Sequence, residues 1–251
     1  MMDWRAFFNE HAATGDAVLA GVYINAGKRV SDESLDLTAR DIAAKMNLQA
    51  HHNLADICCG GGLMLDRLHP LVARVTGADF ALESLKICRR AGHHVAATDA
   101  AALPFPDAAF DRVLCHCTCM CMTSQAQTTA IMDELLRITK RGGILLAGDV
   151  PDYDVRDGYW HYTSQAPLPR AWRARVALRR LRDAAGIVPK GVTGQWDGSG
   201  TSHAMFTGSW FARWARDARF PVKVEILRHR IYPSGRGTDP FRFDVRITRK
   251  D

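Results

Sequence analysis

Leu54-Ala55-Asp56-Ile57-Cys58-Cys59-Gly60-Gly61-Gly62, followed by Gly77-Ala78-Asp79-Phe80, is the stretch that decides the fold. The first run reads as an apolar strand breaking into a glycine-rich turn. The second reads as another strand ending in a lone carboxylate, 23 residues after Asp56. Together they point to a nucleoside-bearing cofactor lying across the carboxyl ends of two parallel strands.

The residues around the turn narrow the choice of cofactor. A dinucleotide fingerprint needs a third glycine three residues after the second, so that helix amides can approach pyrophosphate. With Gly60 and Gly62 as the first two, Leu65 stands at the third position. Asp56 lies just before the turn, where a carboxylate repels phosphate but suits a cationic amino group. S-adenosylmethionine (SAM) offers such a group, a ribose diol and no phosphate. Asp79 can accept hydrogen bonds from both ribose hydroxyls.

At 251 residues the chain suits one sizeable α/β domain with an insertion. Hydrophobic content of 47% and charged content of 24% are those of a globular protein. No apolar run approaches the ~20 residues of a membrane-spanning helix. The start, Met1-Met2-Asp3-Trp4-Arg5, lacks the layout of a signal peptide, so cytoplasmic residence is the default expectation. Seven cysteines, two adjacent and four alternating, look like reduced thiols rather than a disulfide framework. A net charge of +6 permits an anionic substrate without demanding nucleic acid.

Residues 1–50 read as a helical cap, with Ser31 capping a helix that carries Leu35, Ile42 and Met46. The cofactor-binding core spans 51–150. Its strands are expected at Asn53–Cys58, Ala73–Asp79, Val95–Asp99, Phe110–Cys117 and Ile144–Asp149. Helices are expected after Gly62, over Ala81–Arg90 with Gly92 closing it, and over Gln125–Lys140 ending at Gly142-Gly143. Residues 151–207, rich in Arg, Tyr, Trp, Gly and Pro, read as a substrate lid insertion. Residues 208–251 close the domain: a helix capped by Ser209, then strands Val222–Arg228 and Arg242–Thr248. In the last strand Phe241, Phe243, Val245 and Ile247 alternate with Arg242, Asp244 and Arg246, which suits a terminal antiparallel strand.

The chain resembles the class I SAM-dependent methyltransferases over residues 50–150. Asp56–Gly62 is similar to their motif I, Asp79 to their ribose-binding acid and Thr98-Asp99-Ala100 to their adenine-contact motif. Leu103-Pro104-Phe105 with Asp107, Phe110 and Asp111 resembles the approach to their fourth strand. Glu134–Gly143 resembles the helix and turn before the fifth. The resemblance implies a Rossmann-like, doubly wound α/β fold: a seven-stranded, mostly parallel sheet with an antiparallel terminal strand and a helical lid. Cys58 stands where motif I has its first glycine. It is tolerable if its φ stays negative, leaving the unusual conformations to Gly60 and Gly62. The Cys-Cys-Gly turn, Gly27-Lys28 and Arg242-Phe243-Asp244-Val245 resemble a bacterial subgroup that acts on small molecules and glycans. The expected cofactor contacts are therefore Lys28, Asp56, Cys58, Gly60, Gly62, Asp79, Phe80, Asp99, Ala100 and Cys115, with Lys28 toward the methionine carboxylate.

Cys115, Cys117, Cys119 and Cys121 share one face while the strand lasts. Strand spacing of ~6.6 Å holds their sulfurs apart, and a zinc needs them within ~2.3 Å. Only a sharp turn after Thr118 would cluster them, so no metal is expected. In the family this segment passes beside the transferable methyl. His116, off the cysteine face, is the nearest expected base for a hydroxyl or amine acceptor; a packed strand histidine is the plainer alternative. His161 is a second base candidate, and Tyr159 and Tyr162 are candidates for stacking a sugar or aromatic substrate; packing within a small lid is the alternative. Arg170, Arg173, Arg175, Arg179, Arg180 and Arg182 form either a solvated basic face or a polyanion surface.

The expected activity is SAM-dependent methyl transfer to an oxygen or nitrogen of a small molecule, sugar or glycan, yielding S-adenosylhomocysteine (SAH). The alternatives are a tRNA or rRNA methyltransferase, a non-catalytic cofactor-binding partner protein, or a nicotinamide oxidoreductase. No appended RNA-binding module is evident and the Asn/Asp-Pro-Pro-Tyr/Phe motif is absent after the fourth strand, so nucleic acid is not the expected partner. A homodimer stays open.

Overall fold

The computed structural model describes residues 3–20, 24–25, 28–158, 170–172, 174, 177–178, 204–230 and 238–250. Helix α1 (Trp4–Ala12) and the single turn α2 (Ala17–Ala20) lead to a hairpin of β1 (Ile24–Asn25) and β2 (Lys28–Arg29), then to α3 (Asp32–Lys45). The cap expected over residues 1–50 is therefore helical with an inserted two-stranded hairpin. Ser31 caps α3 as expected, accepting from the Ser34 amide.

The core follows as β3 (Asn53–Ile57), α4 (Leu63–Leu68), β4 (Arg74–Asp79), α5 (Leu82–Arg90), β5 (Val95–Ala97), β6 (Phe110–His116), α6 (Gln125–Ile138) and β7 (Thr139–Pro151). Helix α7 (Gly208–Asp217) and strands β8 (Val222–Arg230) and β9 (Thr238–Arg249) complete it. The strands form a seven-stranded sheet in the order β5-β4-β3-β6-β7-β9-β8. All pairs from β5 to β7 are parallel, while β9 is antiparallel to both β7 and β8. The order reverses beside β3, which places the crevice at the carboxyl ends of β3, β4 and β6.

Alternation along the strands divides the core between the two faces of the sheet. Ala55, Ile57, Val113, Cys115, Leu145 and Ala147 pack with α6 and α7 through Leu135, Phe211 and Trp214. Leu54, Leu114 and Leu146 point the other way, onto α3 and α4 through Leu35, Ile42, Met64 and Leu68. The Trp214 indole donates to the Asp133 carboxylate at 2.8 Å, tying α7 to α6.

Three local expectations are corrected. The Gly142-Gly143 turn is absorbed into β7: pairing with β6 runs from Phe110↔Thr139 to Arg112↔Ile144, so Lys140–Gly143 bulge out of a strand that begins five residues early. Thr207, not Ser209, occupies the N-cap of α7, its hydroxyl 2.8 Å from that of Ser209. The last strand is antiparallel as expected and lies between β7 and β8. The condition set for Cys58 is also not met, because its φ is +64°.

Candidate active site

The glycine-rich turn is shaped by backbone hydrogen bonds to the neighbouring strand. The Cys58 and Cys59 amides both donate to the Ala78 carbonyl, at 2.7 and 3.1 Å. Gly60 and Gly62 are left-handed, at φ +52° and +87°, and Gly62 opens α4. A Cβ at Gly62 would stand 3.0 Å from the Cys88 sulfur. The left-handed twist thus starts at Cys58 itself, at a cost of ~1–2 kcal/mol for a residue with a Cβ. The doubled bond to Ala78 holds it there, as strained residues at functional sites are held by their surroundings.

Asp79, at the end of β4, receives two backbone amides: Gly60 on one carboxylate oxygen at 2.9 Å and Ala81 on the other at 2.8 Å. Burial raises its pKa, opposed by those backbone bonds. Asp56 is buried at 3% exposure, and among the described residues no hydrogen bond is made to its carboxylate. Burial, and then the charge of Asp79, push it up to about 8. A buried carboxylate without a donor is satisfied by a cation. The donor set therefore fits SAM: an orphan acid for the ammonium group and a backbone-anchored acid for the ribose diol.

A cavity of about 240 Å³ opens beside this turn, lined by Cys58, Phe80, Asp99 and Ala100 on the side of the core strands. The loop carrying Asp99 is held by the Thr98 amide donating to the Asp79 carbonyl at 2.9 Å, and by Asp99 accepting from the Ala101 amide at 2.9 Å. The opposite wall is Thr118, Cys121, Met122 and Thr123 from the turn after β6, with Gln127 and Ile131 from α6. Asp3, Trp4 and Arg5 of α1 complete it. No sequence motif marked α1 or the 118–131 wall. Trp4 beside a capping Asp3 was the only signal available.

Of the expected contacts, Cys58, Phe80, Asp99 and Ala100 line this cavity; Gly60 and Gly62 form the adjoining turn, and Asp56 and Asp79 lie at the ends of β3 and β4 beside it. Cys115 faces the α6 side in the buried core and is hydrogen-bonded to the Cys58 thiol, which is raised well above the ordinary thiol range. The backbone of Lys28 lies in β2. Tyr159, His161, Tyr162 and five of the six arginines lie outside the described residues; Arg170 is exposed.

The run of alternating cysteines ends sooner than expected. Cys117 is left-handed, at φ +59°, and its amide donates to the Gly148 carbonyl at 3.0 Å. Cys119–Cys121 then form a 3₁₀ turn. Among the described residues no three His, Cys, Asp or Glu side chains gather in an arrangement that could hold a metal.

His116 faces α3 and not the cavity. Burial pushes it down to about 4, against the opposing charge of Asp149, so the ring is neutral near pH 7. It stands 5.9 Å from the ring of His229, at the edge of a buried charged network that sequence reading missed. The His229 Nδ1 is 2.9 Å from Asp244 and its Nε2 is 3.3 Å from Asp149. Arg242 reaches the Asp149 carboxylate at 3.2 Å. Lys45 of α3 bridges Asp244 and Asp41. Both ring nitrogens of His229 thus face carboxylates. Burial pushes Asp149 upward, but Arg242, His229 and His116 outweigh it and hold it below the ordinary carboxylate range.

Asp149 is itself left-handed, at φ +59°, where the pairing of β7 with β9 slips between Ala147 and Val150. Its amide donates to the Asp244 carboxylate at 2.7 Å in place of a ladder bond. The Cys117 thiol bonds to its carboxylate. Cys117 in turn directly precedes Thr118 of the cavity wall in the chain.

Residues 55–147 match the family model described as a methyltransferase domain. Over those residues the chain carries a methyltransferase domain of the SAM-dependent kind. No curated protein matches the chain. Among solved structures it is similar to the Haloferax volcanii complex between the Trm112 methyltransferase activator and a methyltransferase, at 16% identity and TM-score 0.62, covering 97% of this chain and 98% of that one. A SAM-dependent methyltransferase from Thermotoga maritima aligns at 18% identity and TM-score 0.58, over 99% and 100% of the two chains. The magnesium protoporphyrin IX methyltransferase of Synechocystis, with bound SAH, aligns at 14% identity and TM-score 0.56, over 98% of each. These likenesses establish the shared fold. In this methyltransferase, among the described residues, no helix is long and apolar enough to cross a membrane.

Proposed function

We propose that the methyltransferase acts on an oxygen or nitrogen of a small molecule, sugar or glycan, and that Asp149 holds the acceptor in line with the methyl group. The observation that carries this reading is the Asp149–His229–Asp244 network at the ends of β6 and β7. A buried, charge-balanced cluster, built at the expense of ladder bonds and with a left-handed aspartate at its tip, is costly unless it serves chemistry. When bound, SAM supplies an electrophilic methyl on a positively charged sulfur. The chain's task is then alignment, exclusion of water, and acceptance of the acceptor's proton where it has one to lose.

Asp149, ionised and fixed by Arg242 and His229, is an oriented acceptor for an O–H or N–H. Asp244 and Lys45 fix His229 in turn. His116, neutral and facing α3, packs beside this unit and is not the base in this reading. The domain division into a 1–50 cap, a 51–150 core, a 151–207 lid and a 208–251 closing unit is part of the proposal, as is Lys28 toward the methionine carboxylate.

The test supplies radiolabelled-methyl SAM with a panel of amines, sugars, nucleotide-linked sugars and bulk tRNA. Label transferred to a small molecule supports the reading; label on RNA alone overturns it. With an acceptor in hand, Asp149→Asn should lower kcat ~100-fold or more with SAH affinity within about threefold of the parent, as expected for a group acting only on the acceptor.

A further inference from the structure

Helix α1 reaches the cofactor pocket from outside the seven-stranded core. Of its nine residues only Ala12 is buried, although it carries Trp4, Phe7 and Phe8, all half-buried. Trp4 stacks on Phe8 with ring centroids 5.9 Å apart, and Phe8 meets Phe80 edge-on at 6.1 Å. The Arg5 guanidinium lies 5.6 Å over the Phe80 ring. Phe80 directly follows Asp79, so this aromatic ladder ends on the turn that holds the ribose-binding acid.

One side chain fastens the helix there. Helix α5 begins at Leu82, and its N-cap residue, Ala81, has no side chain able to cap it. Asn9 of α1 supplies the missing acceptor, its carbonyl oxygen taking the Glu83 amide at 3.0 Å. Its amide nitrogen donates to the Arg5 carbonyl at 2.9 Å. The start of α5 is thus capped in trans by α1.

We propose that α1 is part of the cofactor site: Trp4 and Arg5 close over the nucleoside of SAM, and Asn9 is the positioning residue that couples α1 to the Asp79 turn. This rests on the cavity beside Asp79 being the SAM site. Asp3, Trp4 and Arg5 line the cavity together with Ala100 and Met122. A purine entering it buries the indole and extends the ladder from Phe80. Docking of α1 and binding of the nucleoside therefore favour one another by the same free energy, as linkage requires. The core motifs hold the cofactor from one side, and the docking of α1 adds to its affinity.

The experiment measures SAH and adenosine binding by calorimetry, and hydrogen exchange of residues 4–12, on the full chain. Trp4→Ala should weaken both ligands by a similar factor, about tenfold, with Trp4→Phe recovering most of the loss. Asn9→Ala should weaken SAH about fivefold, since part of the binding free energy then goes to docking α1. SAH should slow exchange across α1 in the parent and much less in Trp4→Ala. Parent protein that binds SAH while both alanine variants match it, with α1 exchange unchanged by SAH, overturns the proposal. Failure of the parent to bind SAH would instead remove the cofactor site on which it rests. Exchange in β3–β6 checks that each variant is folded, and the parent's own α1 protection decides the matter if one is not.

Discussion

Asp56 and Asp79, on adjacent strands, show how two carboxylates can be told apart by their partners. Asp79 is anchored by two amides and is the acid we propose for the ribose, so Asp79→Ala should abolish measurable SAH binding in calorimetry; unchanged affinity would sink the cofactor assignment. Asp56 makes a different prediction. Its folded pKa, about 8, lies above its unfolded value, so its favourable contribution is complete at low pH and is lost as pH rises through about 8. Cofactor-free Asp56→Asn should therefore melt several degrees above the parent at pH 8.5, with the gap closing near pH 5 in a thermal-shift series. His116 is depressed to about 4 from an ordinary 6.5, so its stabilising contribution is present above 6.5 and lost as pH falls toward 4. His116→Gln should flatten that part of the stability profile. Both carboxylates were legible as single letters at strand ends; the neutral state of His116 was not, because it depends on what covers the ring.

Among elements, the ends of β6 and β7 concentrate the strain. Cys117 and Asp149 are left-handed on adjacent strands, and between them a Cβ at Gly148 would stand 2.5 Å from Cδ2 of His116. Gly148→Ala must displace the His116 ring or the strand, and should cost about 1–3 kcal/mol in urea unfolding. Periodicity placed both strands correctly because their apolar alternation is local. It missed the bulge of Lys140–Gly143 and the slip at Asp149, since each is set by pairing with a strand distant in sequence. The N-cap of α7 was misplaced by two residues for a similar reason: Thr207 and Ser209 can both cap, and the approach of the chain from Phe206 selects between them.

Across the molecule, the buried network joins α3, β6, β7, β8 and β9, and its acids give the fold a shared sensitivity to pH. Asp149 and Asp244 are held below the ordinary carboxylate range, so their stabilisation is present above about pH 4 and is lost as pH falls further. Asp244→Asn, which leaves Lys45 and His229 without their shared anion, should cost about 3 kcal/mol at pH 7 and progressively less as pH falls below 4, measured by a urea-unfolding series across that range. The sequence by itself determined the parallel core, the order of its strands and helices, and the nature of the cofactor turn. Those features rest on short-range patterns: apolar alternation, glycines where φ is positive, and carboxylates at strand ends. Only the tertiary structure decided that β9 inserts between β7 and β8, that His116 faces α3, that Asp3, Trp4 and Arg5 line the cavity beside the turn, and that Cys58 accepts a left-handed turn. Each depends on contacts between segments far apart in the chain, whose energies no local pattern encodes.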